Sequence, residues 1–259
     1  MMQHLTISII QSDLVWEDVD ANLTAFTKKI KTVKQSDLIV LPETFSTSFS
    51  MNSEHLAEPM NGKTMTWMAK MAEQKNTVVA GSVILRENDR IFNRFIWMRT
   101  DGTFETYDKR HLFRMGDEHN HFSAGSNPLI VELKGWKICP QICYDLRFPV
   151  WSRNKKEEYD LLLYIANWPE VRITAWEKLL YARAIENQCY VIGVNRIGKD
   201  GKGVNCSGNS MLIDPKGDLI WKAADQKEET KTTQVSLTDL NDFRERFPVV
   251  MDADEFKII

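Results

Sequence analysis

Two hydrophobic periodicities interleave along this chain, and neither an all-helical nor an all-strand fold accommodates both. Apolar, often β-branched runs stand at His4–Ile10, Leu38–Leu41, Thr77–Leu85, Ile91–Arg99, Lys137–Ile142, Leu161–Ala166 and Tyr190–Asn195, each short enough for a buried strand. Between the first two, Val19, Leu23, Phe26, Ile30 and Val33 recur at steps of three and four, the spacing of an amphipathic helix. Met65, Met68 and Met71-Ala72 mark a second helix with its methionines in the core, and Thr174–Asn187 a third. Hairpin signals also occur: REND after residue 85, Asp101-Gly102 before Thr103–Tyr107, and PKGD between Asn209–Ile213 and Leu219–Lys222. Further strands are expected at Leu129–Leu133 and Thr232–Leu237. Pro140 inside its run predicts an edge or bulge, because proline has no N–H to give a ladder. Crossovers mixed with hairpins predict an α/β fold of helices covering sheets in layers, with one domain over residues 1–259.

Charge and cysteine content bear on partners. Basic and acidic residues number 33 and 36, interspersed, for a formal net charge of −3. That balance offers no basic surface to a phosphate backbone, so nucleic acid is not an expected partner. No apolar run approaches the roughly 18 residues of a membrane span, and MMQHLTISII lacks the basic region and cleavage site of an export signal. Four cysteines without a disulfide framework fit a reducing, cytoplasmic location. Cys139 and Cys143 are spaced C-x₃-C, but no second pair or His-x₃₋₅-His follows, so no metal is expected there.

Polar residues stand where three apolar strands stop: Glu43 after LIVLP, Lys109 after FETYD and Cys143 after KICPQI. Strand ends and the loops beyond them are the usual ligand crevice of α/β sheets. A thiol is a weak nucleophile until it loses its proton. A carboxylate within reach can take that proton and later deliver it to a leaving amine. A lysine can stabilise the oxyanion of a tetrahedral intermediate, and the backbone N–H of Tyr144, just past the thiol, can join it. Cys, Glu and Lys together suit acyl transfer from an amide. Singly, each has a plainer reading: a small core hydrophobe, a solvated turn carboxylate and a surface charge.

Read together, LPETF (41–45), YDKRHLF (107–113) and ICYDLRFP (142–149), with NWP at 167–169 and RAIEN at 183–187, resemble the nitrilase superfamily of carbon–nitrogen hydrolases. That resemblance implies a Glu–Lys–Cys triad with Glu43 as general base, Lys109 as oxyanion stabiliser and Cys143 as nucleophile. It also implies that Glu118, in the family's E-x₃-F-x₂-G pattern (EHNHFSAG), orients the lysine and substrate. The implied fold is a four-layer α-β-β-α sandwich that pairs through a helix face into a homodimer. No metal and no cofactor are implied. CYDLRFPVWSRN with NWP and RAIENQ is most similar to the ω-amidase branch, which removes the terminal amide of short dicarboxylate monoamides such as 2-oxoglutaramate and 2-oxosuccinamate.

An N-carbamoyl amine hydrolase, a nitrile hydrolase and a non-catalytic binding module of the same fold are the rival readings. Arg172, just beyond NWP, is the candidate receiver of a substrate carboxylate, and Trp168 either walls the pocket or packs in the core. Arg147, four positions after Cys143, is expected in an ion pair holding the turn, with substrate binding as the alternative. His111, His119 and His121 cluster near Lys109 but lack further matched ligands. GKDGKG (198–203) is expected to be a hairpin loop, since it has no lysine-serine ending and Cys206 blocks a G-x-G-x-x-G. Asp242, Arg244, Glu245 and Arg246 are expected on the solvated face or end of a short helix.

Overall fold

Successive side chains of a strand point to opposite faces, so a strand that is apolar at every position must be covered on both. The computed structural model, which describes residues 3–258, meets that demand with two stacked sheets and helices outside each. Its first half runs β1 (His4–Gln11), α1 (Val19–Thr32), β2 (Leu38–Val40), α2 (Ser53–Leu56), β3 (Glu58–Pro59), α3 (Lys63–Lys75), β4 (Val78–Glu87), β5 (Arg90–Met98), β6 (Phe104–Asp108) and α4 (Glu118–His121). The second half runs β7 (Val131–Leu133), β8 (Trp136–Ile142), β9 (Leu161–Ala166), α5 (Ile173–Asn187) and β10 (Tyr190–Asn195). It closes with the ribbon β11 (Ile197–Lys199) and β12 (Asn205–Ser207), then β13 (Met211–Ile213), β14 (Leu219–Lys222), β15 (Glu229–Ser236) and α6 (Leu237–Arg246).

One sheet has the order β15-β1-β2-β4-β5-β6, with β3 beside β4, and the other β14-β13-β10-β9-β8-β7. The middle of each is a parallel triplet, β1-β2-β4 and β10-β9-β8, built by crossovers. On β9, Leu161, Leu163 and Ile165 meet Ile7, Ile9, Leu38 and Val40 of the other sheet. The alternate residues Leu162, Tyr164 and Ala166 face Trp176, Leu180 and Ala184 of α5. Ile10, Ile39 and Leu41 face Phe26 and Ile30 of α1 and Met65 and Met68 of α3. The layers are therefore α-β-β-α. Each apolar side chain buried in them stabilises the fold by about 1.5–3 kcal/mol. Gly193 brings α5 directly onto β10, where an added Cβ would stand 2.5 Å from Leu180 Cδ1.

Several boundaries differ from the sequence expectation. β15 begins at Glu229, because ETKTTQ alternates half-buried and exposed positions ahead of buried Val235 and Ser236 along its pairing with β1, from Gln11↔Glu229 to His4↔Ser236. Asn209 takes a left-handed φ of 58° and stays outside β13. The edge that Pro140 demands is local: β7 pairs only with Trp136–Ile138, and among the described residues no strand neighbours that side of Pro140. Arg244 is not solvated. It is 5% exposed and turns inward from α6 to Asp160 (2.8 Å) and the carbonyls of Tyr159 and Gln188. Among the described residues, no helix is long and apolar enough to cross a membrane.

Candidate active site

The C-terminal ends of β2 and β8, inner strands of opposing sheets, open on one crevice. Leaving β2, Leu41 N still bonds Ala80 O (2.8 Å), and Thr44 turns the chain with φ 42°. Glu43 is thereby buried between the sheets. Asn167, at the end of β9, donates its backbone N–H to Glu43 Oε2 (2.7 Å) and its side-chain amide to Glu43 O (2.7 Å). The two sheets are thus joined by hydrogen bonds at the carboxylate.

Lys109 follows β6, with its N–H on Asn93 O (3.0 Å) of β5 and its carbonyl accepting from Gly125 N (3.0 Å). Gly125 lies so close to Asp108 that a Cβ would stand 2.2 Å from the Asp108 carbonyl oxygen, so only glycine closes this loop. Lys109 Nζ reaches Glu43 Oε1 at 2.8 Å and Glu118 Oε1 at 2.9 Å. Glu118 opens α4 and accepts from Phe113 N (2.6 Å) through its other oxygen. Asn93 Nδ2 donates to Glu43 Oε1 (2.8 Å) and Glu118 Oε1 (3.4 Å).

Cys143 takes φ 45°, a region costly for a residue with a Cβ. Asp145 holds the turn, a 3-10 segment over Cys143–Arg147. Its buried carboxylate accepts from Ile142 N (3.0 Å), His111 N (2.9 Å) and Tyr107 Oη (2.7 Å), and it faces His111 Nδ1 at 2.7 Å. One carboxylate therefore ties the thiol turn to the lysine segment. Of the four cysteines, only Cys143 is not fully buried.

Burial would push the Lys109 ammonium down, but Glu118 and Glu43 together outweigh it and hold the group well above its usual range. Burial raises Glu118, with the charge of Glu43 adding to it and Lys109 pulling the other way. Burial, then the neighbouring Glu43 carboxylate, push the Cys143 thiol well above its usual range, with Lys109 opposing. The resting site thus holds a neutral thiol beside an ammonium and an acceptor carboxylate. A neutral thiol attacks well only if a base takes its proton as it does so.

Cys143 and Lys109 lie on the floor of a cavity of about 450 Å³, with Phe49, Met51, Phe113, Tyr144 and Trp168 as apolar walls. Arg147 and Arg172 also line it. Arg147 lies over the Trp168 ring (5.1 Å) and Arg172 over the Phe113 ring (5.3 Å). Among the described residues neither guanidinium pairs with a carboxylate, whereas Arg94, Arg183, Arg196 and Arg244 do.

The structure brings Glu43, Lys109, Cys143 and Glu118 together and places Tyr144, Trp168 and Arg172 on the same cavity. Trp168 both lines the cavity and packs, its ring beside Trp176 (5.4 Å). The ion pair expected of Arg147 is corrected: Asp145 secures the turn, and Arg147 is exposed at the rim. His111 stacks on Phe148 (3.7 Å) and faces Asp145, and His121 faces Asp117 at 3.2 Å. GKDGKG joins β11 to β12 and brings Asp200 and Lys202 to the cavity. Sequence reading missed Asn93, Asn167 and Asp145. For Asn167 a signal existed, since it follows an apolar strand as Glu43 and Cys143 do.

A thiol beside a carboxylate and a buried ammonium, at the strand ends of an α-β-β-α sandwich, defines a site for acyl transfer. The carbon-nitrogen hydrolase family model matches residues 6–245, and the chain belongs to that family of enzymes acting on carbon–nitrogen bonds. It is 46% identical over 257 residues to Omega-amidase YafV of Escherichia coli (strain K12), covering 99% of this chain and 100% of that protein. With 2-oxoglutaramate amidase of Bacillus subtilis (strain 168) it shares 35% identity over 252 residues, covering 95% of this chain and 96% of that one. The crystal structure of XC1258 from Xanthomonas campestris, a CN-hydrolase superfamily protein with an arsenic adduct in its active site, matches with a TM-score of 0.97. The two are 42% identical, and the match covers 100% of both chains.

Proposed function

We propose that this enzyme hydrolyses the terminal amide of short dicarboxylate monoamides, of the 2-oxoglutaramate and 2-oxosuccinamate type, to the dicarboxylate and ammonia. The observation that carries this reading is the pair of guanidiniums, Arg147 and Arg172, that meet no carboxylate among the described residues and line the cavity whose floor holds Cys143. An anion drawn out of water needs a cation or several N–H donors at its far end, and this cavity supplies the cations. The relatives named above support the same substrate class.

In this reading Cys143 Sγ attacks the amide carbon while Glu43 takes the thiol proton. The oxyanion of the tetrahedral intermediate forms against the Lys109 ammonium and the Tyr144 N–H. Collapse breaks the C–N bond as Glu43 returns the proton to the leaving nitrogen, and ammonia departs from a thioester. Water, deprotonated by Glu43, then attacks the thioester carbonyl, and the thiolate leaves to recover its proton. Glu118 keeps the Lys109 ammonium aimed. A cytoplasmic location and a homodimer formed through a helix face belong to the same proposal. Sedimentation velocity reads the assembly, and a monomer at assay concentration overturns it.

The direct test is an ammonia-release panel of ω-amides, nitriles and N-carbamoyl amines, with wild type beside Cys143→Ala. The variant is expected to fold cooperatively and to lose turnover, and iodoacetamide is expected to label Cys143 before Cys139, Cys189 and Cys206. Retained activity in the alanine variant overturns the nucleophile. Faster turnover of nitriles than of 2-oxoglutaramate overturns the substrate class.

A further inference from the structure

β5 reads IFNRFIWM from residue 91, where Asn93, 1% exposed, and Arg94 are the polar side chains among apolar ones. Its amide orientation is forced. Carboxylate oxygens only accept, so the NH₂ group must face Glu43 and Glu118, and Oδ1 is left buried with no partner among the described residues. An orphaned buried acceptor costs stability. A valine or leucine at this strand position would avoid that cost, so packing does not explain the residue.

Asn93 Nδ2 and Lys109 Nζ bridge the same two oxygens, Glu43 Oε1 and Glu118 Oε1. The Asn93 carbonyl also anchors the Lys109 backbone. We propose that Asn93 is a positioning residue: a neutral donor that keeps the two carboxylates apart and in place while Lys109 serves the oxyanion. Neutrality is what the site requires. When the ammonium turns toward substrate, each carboxylate loses part of its partner, and Asn93 still holds both. A second cation here would instead compete with Lys109 for both carboxylates and pull the proton off Cys143 before substrate arrives.

The titratable groups that this amide bonds are Glu43 after β2 and Glu118 on α4, and those carboxylates in turn act on Lys109 after β6 and Cys143 after β8; Arg94, next in the chain, pairs with Asp108 (2.6 Å) and Glu87 (3.0 Å) instead. The role assigned to Asn93 rests on the acyl-transfer reading, so the test needs a readout that does not depend on turnover.

The experiment compares wild type with Asn93→Ala and Asn93→Asp. It measures kcat and KM against pH on 2-oxoglutaramate, and the titration of the buried glutamates by ¹³C NMR of side-chain-labelled enzyme. Removing a donor to a carboxylate destabilises its ionised form. Asn93→Ala is therefore expected to lower kcat about tenfold or more with KM within about threefold. It is also expected to move both the acid limb of kcat/KM and one glutamate titration up by about one pH unit. In Asn93→Asp the new carboxyl can donate only while protonated, so its activity is expected to recover as pH falls, the opposite trend to the alanine variant. Equal losses at every pH in step with the folded fraction, or unshifted glutamate titrations, overturn the role. A change confined to KM would make Asn93 a substrate contact and overturn it as well. If wild type turns over no ω-amide, that failure falls on the proposed function, while the NMR titration still judges Asn93.

Discussion

On the cavity floor Lys109, 1% exposed, lies 2.8 Å from Glu43 and 2.9 Å from Glu118, with Asn93 and Asn167 completing the shell around the carboxylates. At the rim, Arg147 and Arg172 rest on aromatic faces and meet no carboxylate among the described residues. The floor pairs every charge before substrate arrives, and the rim leaves its charges to water. Buried charges cannot wait unpaired, because desolvation costs several kcal/mol per ion. Rim charges can, since hydration and a cation–π contact of about 0.5–1 kcal/mol suffice to hold them. The floor is thus preorganised for chemistry, while the rim retains attraction to offer an anion.

The largest effects are expected where the floor is broken. On the proposed roles, Glu43→Gln should lower kcat about 10²–10⁴-fold, the cost of a lost general base, and Lys109→Met about 10²–10³-fold, that of a lost oxyanion donor. Glu118→Gln should lose less, since in the proposed mechanism it acts through the lysine. Lys109→Met should also destabilise the fold by about 3–5 kcal/mol, because two buried carboxylates lose their cation. The pH trend follows from sign: Glu118 is already held above its usual range, and losing the lysine raises it further. A carboxyl raised in the folded state costs stability above its unfolded range and relieves that cost when protonated. Urea denaturation should therefore show a deficit larger at pH 8 than at pH 5. A change in KM alone, or a deficit independent of pH, would place these residues outside the chemistry.

Breaking the rim should give smaller effects that depend on the substrate. Arg147 and Arg172 share one cavity, so Arg172→Met or Arg147→Met alone should cost about tenfold in kcat/KM toward 2-oxoglutaramate, and the double variant about 2–5 kcal/mol. Toward an uncharged amide of equal length, all three variants should match wild type. Equal losses on both substrates would return the arginines to structure.

That contrast also explains what the sequence reveals. Glu43, Lys109 and Cys143 are legible because each ends an apolar strand in a recognisable local context, and the layers are legible because alternation on β9 and steps of three and four on α1 are local. The shell is not legible. Asn93 meets Glu43 across 50 positions and Asn167 meets it across 124, so each reads locally as a polar interruption. Arg244 looks solvated because its partner Asp160 lies 84 residues away in the chain. Asp145 reads as an ordinary turn residue until Tyr107 and His111 close on it. The expected ion pair of Arg147 failed for the same reason: Trp168, on another strand end, holds it at the rim.

The smallest expected effect separates floor from rim without any mutation. Salt screens charges that water can reach: the Debye length is about 10 Å at 0.1 M and about 3 Å at 1 M ionic strength, and buried pairs are screened far less. Arg147 is exposed and Arg172 half-exposed, whereas Glu43, Lys109 and Glu118 are buried. Raising sodium chloride from about 0.05 to 0.5 M should therefore raise KM for 2-oxoglutaramate a few-fold and leave kcat nearly unchanged. With an uncharged amide of equal length, neither constant should move. In the Arg147→Met, Arg172→Met double variant the salt effect on the anionic substrate should also shrink, because of the exposed cations lining the cavity only Lys202 then remains. A kcat that falls with salt on both substrates would mean that ions reach the floor, and the division between a sealed reaction centre and a hydrated recognition rim would then be wrong.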